Sequence, residues 1–268
     1  MAFVCLCLLT ARLHAAGEEL SRYNNDPFVK PIVITPLTLP DSWPTNLHQD
    51  HTVGIPSLLL NPLNWIFRLQ QEIYGPEGTE DMVKLILAAW KVDIEAAISD
   101  GNDPAGGKAT GHDILFDERG IVYRDDNVTV EAFRTRHASL QDSFAYRFTS
   151  EDRVVVFTGD GGPYHPNIVQ AAMNADILIT ETVTEENIQY APWGGDTIEA
   201  KRKEIFRFHF SPAVLARIAQ EAKVKTIVLS HEQNYNSGRD YQPLGLVNEV
   251  KAAGFEGEIY SAMDGDVY

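Results

Sequence analysis

From His51 onward the chain alternates between short runs rich in β-branched and aromatic residues and longer stretches in which apolar residues return every three or four positions. The first pattern suits strands, and the second suits helices with one buried face. It predicts a helix near Gly78 to Ser99, then strands near Gly120 to Tyr123, Asn127 to Thr135, Ala145 to Thr149 and Arg153 to Thr158. A helix near Pro166 to Asn174, a strand Asp176 to Glu181, a helix Ser211 to Lys223 and a strand Thr226 to Ser230 follow. A helix Tyr241 to Ala253 and a strand Glu258 to Ser261 come last. Met82, Leu85, Ile86, Ala89, Trp90 and Ile94 form a stripe on the first helix that is expected to face the core. The stretch from Asp100 to Gly111, rich in glycine and small polar residues, reads as a mobile loop or a plain connector. Alternation of this kind predicts an α/β fold.

A length of 268 residues with 44% apolar content suits one large domain, assigned here to residues 45–268. The sequence shows no internal repeat, heptad run or apolar segment of membrane-spanning length. Its start differs from the rest. Ala2 to Ala11 is a short apolar run followed by Leu13-His14-Ala15-Ala16, so residues 1–16 resemble a secretory signal that lacks a basic start. The same run also fits a buried strand or helix start. A cleaved leader implies a secreted or periplasmic protein, and an uncleaved one a cytoplasmic protein. Residues 17–44 form an atypical segment without a series of strands. Both cysteines, Cys5 and Cys7, fall in the leader, so the body carries no redox information. The sequon Asn127-Val128-Thr129 matters only in a eukaryotic secretory setting.

Imidazole and carboxylate side chains cluster where apolar runs end. Thr45-Asn46-Leu47-His48-Gln49-Asp50-His51 places His48, Asp50 and His51 within four positions, a density that suits a bound cation. His137, Asp160 and His231 each follow a strand-like run, and loops at strand ends can present side chains into a shared cleft. Asp160 also sits in Gly159-Asp160-Gly161-Gly162, which is good turn chemistry. His209 precedes a helix with Ser211 as the expected N-cap and Pro212 at its first position. His14, His112 and His165 read as bystanders. Tyr190, Trp193, Gly194 and Gly195 form a loop that either lines a substrate pocket or caps the core.

These residues, in this order, resemble the metallo-β-lactamase superfamily, in particular its ribonuclease Z and arylsulfatase-like branch. The resemblance runs from about Thr45 to Tyr268. It also includes Ile73-Tyr74-Gly75-Pro76-Glu77-Gly78-Thr79 as a strand-to-helix turn, Phe144-Ala145-Tyr146-Arg147-Phe148 as a strand and Asp264-Gly265-Asp266-Val267-Tyr268 as a closing strand. It implies an αββα sandwich, here with its first β-hairpin layer truncated, and two divalent metals, zinc first, with manganese or iron as alternatives. One metal would take His48 and His137, the other Asp50, His51 and His231, with Asp160 bridging. A metal-activated water would cleave an ester, phosphodiester or sulfate ester, with His209 as general acid, Glu181 orienting it, and Asp50 counted as catalytic as well as a ligand. Asn46 departs from the family motif His-x-His-x-Asp-His, whose first position it occupies. An amide oxygen is a poor zinc ligand beside an imidazole, so the first site is weakened and a single metal is an open alternative. A catalytically impaired family member and a ribonuclease Z-like RNA endonuclease are the other readings.

Charge bears on the substrate. The chain carries 38 acidic and 22 basic side chains, a net charge of −16, whereas a surface that grips nucleic acid normally shows a basic patch. The one dense basic stretch, Lys201-Arg202-Lys203, reads as a solvated helix face. A small-molecule ester is therefore favoured over RNA, and a homodimer is compatible with the chain.

Overall fold

Period-two alternation along the central strands divides the core between two faces of one sheet. The computed structural model describes residues 43–64, 70–233, 235 and 243–262. In chain order, α1 (Gln49–Thr52) and α2 (Ile55–Asn64) precede β1 (Gln71–Gly75), and α3 (Thr79–Ala89) and α4 (Lys91–Ser99) precede β2 (Ala109–Asp113). The main sheet holds β3 (Arg119–Arg124), β4 (Thr129–His137), β5 (Leu140–Thr149), β6 (Val154–Phe157), β7 (Ile177–Thr180), β8 (Thr226–Leu229) and β9 (Glu258–Ser261), adjacent in that order. Neighbours from β3 to β6 are antiparallel, and those from β6 to β9 are parallel. Each parallel step needs a crossover. These are supplied by α5 (Pro166–Ala172), by α6 (Ile198–Ile205) with α7 (Pro212–Glu221), and by α8 (Pro243–Ala252).

Ala145, Val156, Leu178, Ile227 and Leu229 face the helices, where Ile168, Leu215, Ile218 and Leu246 meet them. Their strand neighbours Phe144, Tyr146, Val155, Phe157, Ile177, Ile179 and Val228 face the other way, onto Trp43 and Ile114. Slipping any of these strands by one residue would exchange the two sets. The alternation continues across β1. Tyr74 stacks on Trp43 with centroids 4.6 Å apart, while Ile73 joins Ile55, Leu59 and Val83 from α2 and α3. The layers therefore run α, β, β, α, and among the described residues the first β layer consists of β1 and β2 paired in parallel.

Two sequence expectations change. The helix expected over Gly78 to Ser99 is two helices, broken at Trp90, whose backbone leaves the helical region at φ −98 and ψ 13. The expected stripe is also misplaced along the first of them, and it ends on exposed Ala89 and Trp90. Val83 and Ile94 are buried, whereas Leu85 is 70% exposed. The second change concerns Ala109–Asp113, part of which read as connector and which forms β2. Its polar composition hides a strand held in place by β1 and α3. The leader with Cys5, Cys7 and His14, residues 17–42, and the closing run Asp264 to Tyr268 lie outside the described residues. No helix among the described residues is long and apolar enough to cross a membrane.

Candidate metal centre

Strands β6, β7 and β8 are parallel, and β4 lies two antiparallel steps from β6, so the carboxyl ends of all four emerge at one edge. Ligand sites in open α/β sheets form at that edge. His137 is the last residue of β4, Asp160 lies just past β6, Glu181 directly follows β7, and His231 lies just past β8. The first motif is tied to the same edge, because Thr45 accepts a backbone hydrogen bond from Phe144 at 2.8 Å. It continues into α1, which has His48 at its N-cap and carries Asp50 and His51. His209 sits in the turn before α7, where Ser211 Oγ accepts from Val214 N at 3.3 Å and Pro212 opens the helix.

Glycine lets these segments meet. Gly159 has φ +60, and a side chain there would strike Thr45 Oγ1 at 2.0 Å. A Cβ at Gly162 would lie 2.5 Å from His209 O and 2.7 Å from His209 N. The Asp160 loop is thus clamped between the first motif and the His209 turn. His231 is turned into the centre by a left-handed backbone at φ 56, an uncommon conformation for a residue with a side chain.

Asp160 is the hub. Its Oδ2 lies 3.2 Å from His51 Nε2, 3.7 Å from His209 Nδ1 and 3.9 Å from His137 Nε2, and its Oδ1 lies 3.2 Å from His231 Nδ1. Asp50 Oδ2 adds approaches of 3.4 Å to His231 Nε2 and 3.8 Å to His51 Nε2. Asp50, His51, Asp160 and His231 offer ligand atoms that all lie within 4.8 Å of one another. Donors bound at about 2.1 Å in a tetrahedron stand about 3.4 Å apart, and the separations here bracket that spacing. Buried atoms without a hydrogen-bond partner include His51 Nε2, His137 Nδ1 and Asp160 Oδ1. Leaving such atoms bare is costly, so the donor set and its unmet bonding fit a divalent cation.

The other side of the hub differs. His48 and His137 approach edge to face, with centroids 4.9 Å apart. Asn46 is fully buried, and its Oδ1 accepts from His48 N at 2.9 Å. That is an Asx turn, so the amide oxygen serves its own backbone.

Electrostatics follow from this packing. Burial would raise the Asp160 carboxyl, but the imidazoles of His51, His231 and His209 outweigh it and hold the carboxyl at about 2. Burial, reinforced by repulsion from His48, His209 and His51, overcomes the pull of Asp160 and lowers His137 to about 4. His137 is therefore neutral, the form that ligates a metal. Burial would also lower His51, yet Asp160 and Asp50 raise it.

Glu181, 1% exposed, accepts from Phe210 N at 2.7 Å and Gly161 N at 3.2 Å through Oε1. Its Oε2 faces His209 Nδ1 at 3.3 Å. Burial raises the Glu181 carboxyl, and the carboxylate in turn keeps His209 above its ordinary value against the effect of burial. Trp193 lies edge-on to Phe208 and His209, with centroids 5.7 and 6.1 Å away, while Tyr190 is exposed. The loop therefore borders the centre at Trp193 and packs against the core at Ile188 and Ala191.

The bystander histidines lie apart from the hub. His112 pairs with Glu72 at 2.6 Å, and His165 Nδ1 accepts from Asn167 N at the start of α5. Sequence reasoning missed Gln233, Tyr235 and Phe208. None is a ligand type, and only proximity to His209 marks them.

The Beta-lactamase superfamily domain matches residues 44–231. Ribonuclease Z of Mycobacterium sp. (strain KMS) is 27% identical over 192 residues, covering 70% of this chain, which in turn spans 63% of that relative's length. Ribonuclease Z of Haloferax volcanii is 24% identical over 271 residues, covering 82% of this chain and 75% of the relative. Among solved structures, human tRNase Z, short form, superposes with TM-score 0.57 at 22% identity, covering 84% of this chain and 77% of that one. The metallo-beta-lactamase fold protein YhfI from Bacillus subtilis gives TM-score 0.55 at 22% identity, covering 88% and 79%. Sequence and fold agree with the geometry, and the chain belongs to the beta-lactamase superfamily, with the metallo-beta-lactamase fold and a ribonuclease Z-like sequence.

Proposed function

We propose that this chain is a metal-dependent hydrolase of an ester, phosphodiester or sulfate ester, with its metal on Asp50, His51, Asp160 and His231. The observation that carries the reading is the buried Asp160 carboxylate, with imidazole nitrogens of His51, His231, His209 and His137 at 3.2 to 3.9 Å. When bound, a divalent metal there supplies Lewis acidity and lowers the pKa of a water molecule. Zinc suits the imidazole-rich donor set, with manganese or iron as alternatives. Asp50, at 54% the most exposed of the four, positions the attacking water. Glu181 orients His209 from the Nδ1 side, and His209 delivers the proton to the leaving group. Such proton transfer contributes about 10²–10⁴ in rate. Asn46 spends its oxygen on His48 N, so one metal per chain is expected.

The substrate is a small molecule of one of these ester classes in preference to RNA. Basic residues of the segment leading to His209 are already engaged, and gripping the phosphates of an RNA backbone needs several free cations. Lys201 Nζ donates to Gln189 O at 2.9 Å, Arg202 pairs with Glu185 at 3.3 Å, and Arg207 pairs with Glu204 at 2.8 Å. The relatives named ribonuclease Z support a second reading, an RNA endonuclease.

Elemental analysis of the folded chain after loading with zinc, manganese or iron tests the centre. Hydrolysis of 4-nitrophenyl acetate, 4-nitrophenyl sulfate, bis(4-nitrophenyl) phosphate and a short RNA tests the substrate. One tightly held metal, and turnover of a nitrophenyl ester that stops on chelation, are expected. A folded chain that retains no metal refutes the reading, and salt-sensitive cleavage confined to RNA replaces it with the second.

A further inference from the structure

Gln233 shares a segment with His231 but carries no ligand chemistry. Its backbone is fastened to the residues that follow Glu181. Gln233 N donates to Thr182 O at 3.2 Å, and Thr184 N donates to Gln233 O at 3.0 Å. From that fixed base its side-chain amide reaches His209, with Nε2 of Gln233 3.0 Å from Nε2 of the imidazole. The Tyr235 hydroxyl donates to Gln233 Oε1, and Trp193 Nε1 donates to the Tyr235 hydroxyl at 3.0 Å. An indole nitrogen can only donate. The bonding is therefore directed inward, from Trp193 to Tyr235 to Gln233, and turns the amide nitrogen toward His209, whose Nε2 accepts, so that the ring proton sits on Nδ1 and faces Glu181.

We propose that Gln233, backed by Tyr235 and Trp193, is a positioning residue that fixes the neutral imidazole of His209 in the free protein, with Nε2 accepting, and releases Nε2 for proton transfer when substrate arrives. The proposal rests on the reading of His209 as the residue that moves a proton. Glu181 meets only the Nδ1 side of the ring, at 3.3 Å, and a ring held on one side can pivot about that contact. The amide of Gln233 meets the opposite nitrogen and removes the pivot. The neighbouring rings of His137 and His231 have centroids 6.1 Å away and do not lock it. Proton transfer depends on orientation held to about 10–20° before the substrate arrives. One short segment thus serves both parts of the centre: His231 faces Asp160, and Gln233 faces His209.

The test uses the full chain loaded with zinc, the variants Gln233→Leu and Tyr235→Phe, and bis(4-nitrophenyl) phosphate as the probe. Gln233→Leu is expected to lower kcat about tenfold with KM within about twofold and metal content unchanged. Tyr235→Phe, which removes one hydroxyl, is expected to lower kcat about threefold. Nitrogen-15 spectra of the histidine rings give a readout independent of turnover. In Gln233→Leu the His209 Nε2 resonance should move while those of His48 and His137 stay. An unmoved His209 resonance, or a kcat that is unchanged or higher, overturns the proposal. If the wild-type chain hydrolyses nothing and the resonance still moves, the hydrolase reading fails and the positioning contact stands.

Discussion

The two sides of Asp160 are built from the same kinds of segment and end differently. On one side Asp50, His51 and His231 bring their ligand atoms together with Asp160 within 4.8 Å. On the other, His48 and His137 face each other, and the third position is an amide whose oxygen bonds the next turn of backbone at 2.9 Å. Exchanging imidazole for amide at residue 46 does more than weaken a donor. Asparagine is short enough to close an Asx turn on its own chain, so the local hydrogen bond engages one lone pair of an oxygen that is already a poor zinc ligand. On the proposed reading, a ligand position can be weakened by a turn without any change in the surrounding fold.

The largest test of this asymmetry is its hub. Asp160→Ala should abolish metal retention and lower kcat/KM on the order of a thousandfold, about 4 kcal/mol, measured by elemental analysis and ester turnover. A paired substitution comes next. His231→Ala should lose the metal with about a hundredfold loss of turnover, while His48→Ala keeps the metal and loses about tenfold or less. Equal losses in the two variants would erase the distinction between the sides. Glu181→Gln should leave metal content intact and lower kcat about a hundredfold, separating proton transfer from metal binding. Gly162→Ala, which presses a methyl group into the His209 backbone, should cost about 1–3 kcal/mol of stability by denaturant unfolding. Asn46→His is the smallest and most direct change. It should raise the bound metal from one to two per chain, at about 1 kcal/mol in stability for the lost bond to His48 N. A stoichiometry that stays at one would show that the turn, and not the residue type, defines that side.

Much of the centre could be read from the chain because metal ligands are few in kind and strand ends are visible as the close of apolar runs. His137, Asp160, Glu181 and His231 all lie where a strand closes. The aliphatic strands β6 to β8 were equally plain, since Val154-Val155-Val156-Phe157 and Ile177-Leu178-Ile179 are short runs rich in β-branched residues. What stayed hidden depends on contacts between distant residues. Ala109–Asp113 becomes a strand because β1 lies beside it, register by register from Gln71 to Gly75. The break at Trp90 leaves no proline or glycine to announce it. Gln233 is an ordinary polar residue until the chain folds its amide onto His209.

The left-handed turn at His231 has a thermodynamic meaning. A residue with a side chain held at φ 56 stores about 1–2 kcal/mol of steric strain. The surrounding fold sustains that strain in the free protein, so a cation held as proposed would not have to create it. Binding then appears as a gain in overall folding stability, by linkage, and melting temperature becomes a gauge of occupancy. A His231→Gly chain would lose the imidazole together with the strain, and its melting temperature should no longer rise with added metal.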